Sequence, residues 1–194
     1  VDEYLTITQE IGEGLYSEKR SKFLAFACHV ESVDDASTII AKYRDKYYDA
    51  RHCCYAYVIG PERDVFRAND DGEPSSTAGK PILGQINSRG LTDVLVVVVR
   101  YFGGVKLGPS GLIKAYKTAA AEALDHAKTE KRYVEEDVEY SFTYPMISKV
   151  MRVVQDMNAQ IVKQQFDNTC SILLRIRSSK ADELRRRLEH LNFE

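Results

Sequence analysis

The chain has 194 residues, room for one large domain or two small ones. Hydrophobic residues at 44% and charged residues at 29% exclude a disordered chain, and a net charge of −2 excludes a global cationic field that would recruit nucleic acid. The longest strongly apolar run, residues 94–99, is too short to span a bilayer, residues 1–4 show no signal-peptide pattern, and four cysteines without a CxxC suit a reduced, cytoplasmic protein with no membrane partner.

Residues 22–30 read as a β-strand. Ser32-Val33-Asp34-Asp35 is a capping-box-like helix start, after which Ala36, Ile39, Ile40, Tyr43 and Tyr47 recur at helical spacing. Residues 53–59 form a second strand, ended by Gly60-Pro61. A helix over residues 77–87 puts Ala78, Ile82, Leu83 and Ile86 on one side, with Pro81 tolerated near its first turn and Gly90 suited to its stop. Residues 93–101 hold six consecutive β-formers without alternation, which predicts a central strand covered on both faces. Ser110 is placed to cap a long helix running to about residue 128. Leu112, Tyr116, Ala119, Ala120, Ala123, Leu124 and Ala127 line its inner side, where the alanines allow a close approach to a sheet, and Lys114 and Lys117 point outward.

From about residue 131 the pattern changes. A strand carries Val138, Tyr140, Phe142 and Tyr144 on one face, and Pro145 starts a helix with Ile147, Val150, Met151, Val154 and Met157. A hairpin over residues 161–176 turns at Asp167-Asn168, and Ser179 caps a final helix bearing Leu184, Leu188 and Leu191. This βαββα order is similar to a ferredoxin-like split βαβ unit without its usual last strand. The expectation is an α+β protein of two domains, residues 1–129 and 130–194.

Charge is unevenly distributed. Residues 1–73 balance at −6, residues 74–117 at +5, and residues 130–194 at zero. The basic stretch holds Lys80, Arg89, Arg100, Lys106, Lys114 and Lys117 against Asp93 alone. It reads either as an anion-binding surface or as a solvated face paired with the acidic first segment.

The most distinctive stretch runs from Arg100 to Gly111: a buried strand ends in Gly103-Gly104, turns through a glycine-rich loop, and enters a helix at Ser110. Free N–H groups at a helix start attract anions. It is not a Walker A loop, because Pro109 stands where lysine is required, nor is it GxGxxG; a tight structural turn is the other reading. Asn69-Asp70-Asp71-Gly72-Glu73 reads as a cation site, as an acidic turn before a helix, or as the electrostatic partner of Arg100 and Lys106. It fails as an EF-hand, with Arg67 and Ala78 at the first and twelfth ligand positions. His52 and Cys54 share a strand face, but two ligands do not make a zinc site, and no metal is assigned. Arg185-Arg186-Arg187 reads as a phosphate contact or a solvated helix end. Arg100 ends a buried strand, so its guanidinium needs a partner, and the spacing predicts a bond to Asp70, Asp71 or Glu73 or to their loop.

With those residues in view, the chain resembles the IMPACT/YigZ family. The matching stretches are Asp70-Asp71-Gly72-Glu73-Pro74, Thr77-Ala78-Gly79-Lys80-Pro81, Val98-Val99-Arg100-Tyr101-Phe102-Gly103-Gly104, Leu107-Gly108, Gly111-Leu112 and Lys114-Ala115-Tyr116. Arg20-Ser21-Lys22-Phe23 and His52, Cys54, Ala56 and Tyr57 match earlier segments. The resemblance implies an N-terminal α+β domain like those of GHMP kinases and a small-subunit ribosomal protein. It implies a C-terminal ferredoxin-like domain similar to the last domain of elongation factor G. It further implies a role in translational control, exerted in eukaryotic members through protein partners.

Three readings follow. The first is a non-enzymatic protein that engages RNA, the ribosome or a ribosome-bound partner, without a cofactor. Its anion surface comprises Lys80, Arg100, Gly103, Gly104, Lys106, Ser110, Gly111, Lys114 and Lys117. The second is a nucleotide-binding phosphotransferase using the glycine loop with Asp70, Asp71 and Glu73. No catalytic base can be named for it. The third is a protein–protein adaptor using the acidic first segment.

Overall fold

The structure, a computed structural model, describes residues 2–193. Contacts divide the chain into two units, one spanning Tyr4–Arg132 and one built from Tyr133 onward together with the segment before Tyr4. The first unit contains, in order, all but the first residue of β1 (Glu3–Ile7), then β2 (Gly12–Glu18), β3 (Ser21–His29), α1 (Val33–Lys46), β4 (His52–Ile59), β5 (Val65–Asn69), α2 (Gly79–Ser88), β6 (Val94–Tyr101), α3 (Gly108–His126) and all but the last residue of β7 (Thr129–Tyr133). Strands β2-β3-β6-β4-β5 form one sheet with every neighbouring pair antiparallel, and β1 pairs with β7.

The unbroken run of β-formers does lie centrally. Val94, Val96 and Val98 pack with α2 and α3 around Ile82, Ile86, Leu112 and Tyr116. Leu95, Val97 and Val99 pack with α1 around Ala36 and Ile40. Both faces of β6 are therefore covered by helices, which is why its sequence lacks polar alternation.

The alanines of α3 do serve close packing, but against β2, which the periodicity did not reveal. A Cβ on Gly12 would lie 2.2 Å from the Ala123 carbonyl oxygen, and one on Gly14 would lie 2.6 Å from that of Ala119. Backbone meets backbone there, and only glycine fits. Strand β5 was equally invisible, being a sheet edge whose first three residues are exposed.

Several helix starts differ from expectation. Ser32 caps α1 as predicted, its Oγ accepting from Asp35 N at 3.0 Å. Helix α2 begins at Gly79 rather than Thr77, and its N-cap, Ala78, offers no side-chain bond. Ser110 is not a cap: α3 begins at Gly108, with Leu107 in the cap position, and ends at His126 rather than near residue 128.

The second unit contains β8 (Glu135–Phe142), α4 (Ile147–Asp156), β9 (Gln160–Phe166), β10 (Cys170–Arg177) and α5 (Ser178–His190). Its sheet order is β8-β10-β9, antiparallel throughout, so β10 separates the two strands that α4 connects. Val138 and Phe142 are buried with Val150, Val154, Ile172, Leu174, Leu184 and Leu188. Tyr144 lies outside the strand, in a 3₁₀ turn with Pro145, and is 65% exposed. Ser179 does not cap α5; the Asp2 carboxylate accepts from Ser179 N at 3.1 Å and from Arg177 Nη2 at 2.7 Å.

Candidate functional site

The end of β6 and the loop after β5 meet over the sheet. Arg100 Nη1 donates to both oxygens of Glu73, at 2.9 and 2.8 Å, and the two residues are only 5% and 8% exposed. The expected bond between Arg100 and the acidic motif is present, and Glu73 makes it. The antiparallel register explains the meeting: His52 pairs with Arg100 across β4 and β6, and Tyr55 with Asn69 across β4 and β5. Both ends of the motif thus reach one corner of the sheet.

Glu73 has further partners that sequence reasoning did not assemble. Tyr116, read as a core residue of α3, donates its hydroxyl to Glu73 Oε2 at 2.5 Å. His52 donates through Nδ1 to the Asp71 carbonyl at 2.7 Å and places Nε2 3.2 Å from Glu73 Oε1. A carbonyl only accepts, so the contact at Nε2 becomes a hydrogen bond when that nitrogen is protonated as well. Cys54, on the same strand face, donates to the Asp70 carbonyl at 3.1 Å. Burial pushes its thiol well above the ordinary range, and the nearby Glu73 and Asp71 carboxylates add to this, so it is held as an unreactive thiol. Burial likewise raises Tyr116.

The acidic motif is divided among three structural tasks. Asp70 is the missing cap of α2: Oδ1 accepts from Ala78 N and Gly79 N at 3.1 and 2.8 Å, and Oδ2 from Ser76 N at 2.9 Å. Asp71 Oδ2 accepts from Cys53 N at 2.7 Å, while Oδ1 accepts from Arg44 at 3.4 Å. Glu73 neutralises Arg100. The three carboxylates do not converge, and no group of three or more metal-binding side chains occurs among the described residues.

Burial tends to raise Asp70, but the bonds from Gly79, Ser76 and Ala78, with Lys80 nearby, outweigh it and hold the carboxyl below its usual value. A carboxyl lowered in the folded state stabilises above its unfolded pKa, and that stabilisation fades as pH falls through the folded value. Asp70→Ala is therefore expected to lose about 0.5–2 kcal/mol at neutral pH, the range for a lost N-cap. The difference from wild type should shrink in denaturant titrations taken progressively below about pH 4. A pH-independent difference would show that the charge on Asp70 is not what caps α2.

Beside this network is a cleft of about 460 Å³, lined by Arg51, His52, Glu73, Arg100, Phe102 and Lys106, with Leu107 to Pro109 at the start of α3. Arg51 and Lys106 are exposed, and Phe102 is 39% exposed with the Arg51 guanidinium 5.0 Å from its ring centre. The uncapped end of the 19-residue α3 helix thus opens beside the cationic rim. Lys80, Lys114 and Lys117 are exposed, as are Ser110 and Gly104, while Gly111 is half-buried. Arg100 departs from the expected surface: it is buried and its charge is matched. Gly103 also has a structural task, since a Cβ there would lie 2.2 Å from the Arg20 carbonyl carbon. Ser21 Oγ accepts from Gly103 N at 3.2 Å and from Arg100 at 3.4 Å, tying β3 to the loop.

Residues 19–124 match the model of the Impact N-terminal domain. The chain belongs to the IMPACT family. Among its relatives, the IMPACT family member YvyE of Bacillus subtilis is 39% identical over 76% of this chain and 67% of its own length. The IMPACT family member YigZ of Escherichia coli is 31% identical over 89% of this chain and 81% of its own. A solved structure described as a hypothetical protein superimposes with a TM-score of 0.74 at 27% identity, over 97% of this chain and 92% of that one. The two-domain translational regulator Yih1 aligns at 26% identity and a TM-score of 0.41, over 62% of this chain and 48% of that one. The matched domain of this IMPACT-family chain contains the ion pair, the capping loop and the cleft. No helix among the described residues is long and apolar enough to cross a membrane.

Proposed function

We propose that this IMPACT-family protein is a translation-associated binding protein. It engages RNA, the ribosome or a ribosome-bound partner through the cleft rim and the exposed start of α3. The carrying observation is the combination at one site: Arg51 and Lys106 stand exposed around an uncapped helix start, beside the accessible ring of Phe102. Cations and free helix N–H groups suit phosphate, and an accessible ring suits an unpaired base. The family resemblance, which implies translational control, supports the same reading. The β8-β10-β9 order supports a ferredoxin-like C-terminal domain similar to the last domain of elongation factor G. A phosphotransferase would need carboxylates free to hold a metal or take a proton, whereas Asp70, Asp71 and Glu73 are occupied by the protein's own groups.

Co-sedimentation with ribosomes across a salt series tests this. Wild type is expected to pellet at low salt and release as salt rises, because phosphate contacts exchange for counterions. Lys106→Glu with Lys114→Glu should lower the affinity about tenfold or more, and its salt slope by about 1.4 for two lost contacts. A folded double variant that pellets like wild type excludes this surface. Loss of pelleting after bound proteins are stripped from the ribosome with its RNA left intact would assign the contact to a ribosome-bound protein.

A further inference from the structure

The C-terminal unit carries a second groove, of about 810 Å³, between α4 and α5. On α4 its wall is Lys149, Arg152, Val153 and Asp156, spaced i, i+3, i+4 and i+7 and so on one helix face. The facing wall includes Arg186, Arg187 and His190 near the end of α5, followed by Leu191 and Phe193.

The lysines and arginines of this unit fall into three groups. Arg175, Arg177 and Arg185 are paired, with Asp137, Asp2, and Asp182 with Glu136 respectively. Lys149, Arg152, Arg186 and Arg187 are exposed and have no ion-pair partner among the described residues. All four of these line the groove, against the two carboxylates Asp156 and Glu189, whereas Lys163 on β9 and Lys180 at the start of α5 are also exposed without an ion-pair partner among the described residues and lie outside it. The groove therefore holds a local excess of positive charge.

We propose that the α4–α5 groove binds the phosphate backbone of single-stranded RNA. Three of the four cations are arginines, whose planar forks meet phosphate oxygens in pairs and whose flat faces accept unpaired bases. Phe193 adds an accessible ring, 86% exposed. The apolar part of the lining is only Val153, Leu191 and Phe193, which is short for the continuous seam that an amphipathic acidic helix would need. A flexible strand can also place its phosphates on the arginines and lead around Asp156 and Glu189. This groove lies within the C-terminal unit, so the inference does not rest on the reading of the cleft beside α3.

The test is fluorescence anisotropy of the full chain with a labelled twelve-nucleotide single-stranded RNA between 50 and 200 mM salt. Four contacts in the groove should contribute about −2.8 to the slope of log K against log salt. Arg152→Gln, Arg186→Gln and Arg187→Gln together should weaken binding at least tenfold and flatten that slope by about 2. The corresponding triple lysine variant should restore most of the slope, since the charges return. Lys106→Glu with Lys114→Glu should leave the groove's contribution in place, which separates this proposal from the one above. A triple glutamine variant that melts like wild type and binds RNA with unchanged affinity and slope overturns the proposal. So does a groove that captures an acidic peptide or anionic vesicles, with loss in the same variant, while RNA binding is unaffected.

Discussion

Glu73→Ala is expected to destabilise the N-terminal unit by about 3–5 kcal/mol, the range for breaking a buried ion pair from one side. The mutation removes the acceptor of both Arg100 bonds and of the Tyr116 hydroxyl. A guanidinium that is 5% exposed would then face aromatic rings, with its charge unmatched: Phe23 and Phe102 each lie 5.5 Å from Arg100 Cζ. Arg100→Met combined with Glu73→Leu should recover much of the loss, because an apolar pair of similar volume removes the unmatched charge. Urea titration of both variants checks this. A Glu73→Ala midpoint equal to that of wild type would show that the pair adds nothing to stability.

Phe23→Ala should cost a similar amount, about 3–5 kcal/mol, but through a cavity. The ring is fully buried and meets Tyr116 edge-on, with centroids 5.1 Å apart and planes at 83°. Phe23 also pairs with Arg100 across β3 and β6, so the lost volume lies beside the ion pair. Phe23→Leu keeps much of the volume and should cost less than half as much. The distinguishing measurement is acidic-loop protection: amide exchange at Ser76, Ala78 and Gly79 should quicken in Glu73→Ala at denaturant levels where Phe23→Ala leaves it near its global rate. Equal local protection in both would mean that the Glu73 ion pair and the α2 cap are not coupled.

Much of the architecture was legible in the sequence because burial leaves a periodic signature. Residues 94–99 lack alternation since helices cover both sides, and the α3 stripe from Leu112 to Leu124 repeats at helical spacing since only one side is covered. Edge strands carry no such signature. Strand β5 has an exposed start, and β2 has glycines where α3 presses on its backbone, so both escaped. Helix caps divided in the same way. Ser32 could be read because it bonds three residues ahead, whereas α2 and α5 are capped by Asp70 and Asp2, which lie far from those helix starts in sequence.

At the site, the sequence alone determined that Arg100 needs a partner, because a charge at the end of a buried strand cannot stand alone. It also narrowed that partner to one acidic motif. Only the tertiary structure decided that Glu73 is the partner, that Asp70 and Asp71 serve backbone N–H groups, and that Tyr116 and His52 complete the network. The reason is physical: composition and spacing report how much charge a segment carries, but which charges remain free depends on pairing across strands and helices distant in sequence. The same pairing separates Arg185, satisfied by Asp182 and Glu136, from its neighbours Arg186 and Arg187, which are left facing the groove.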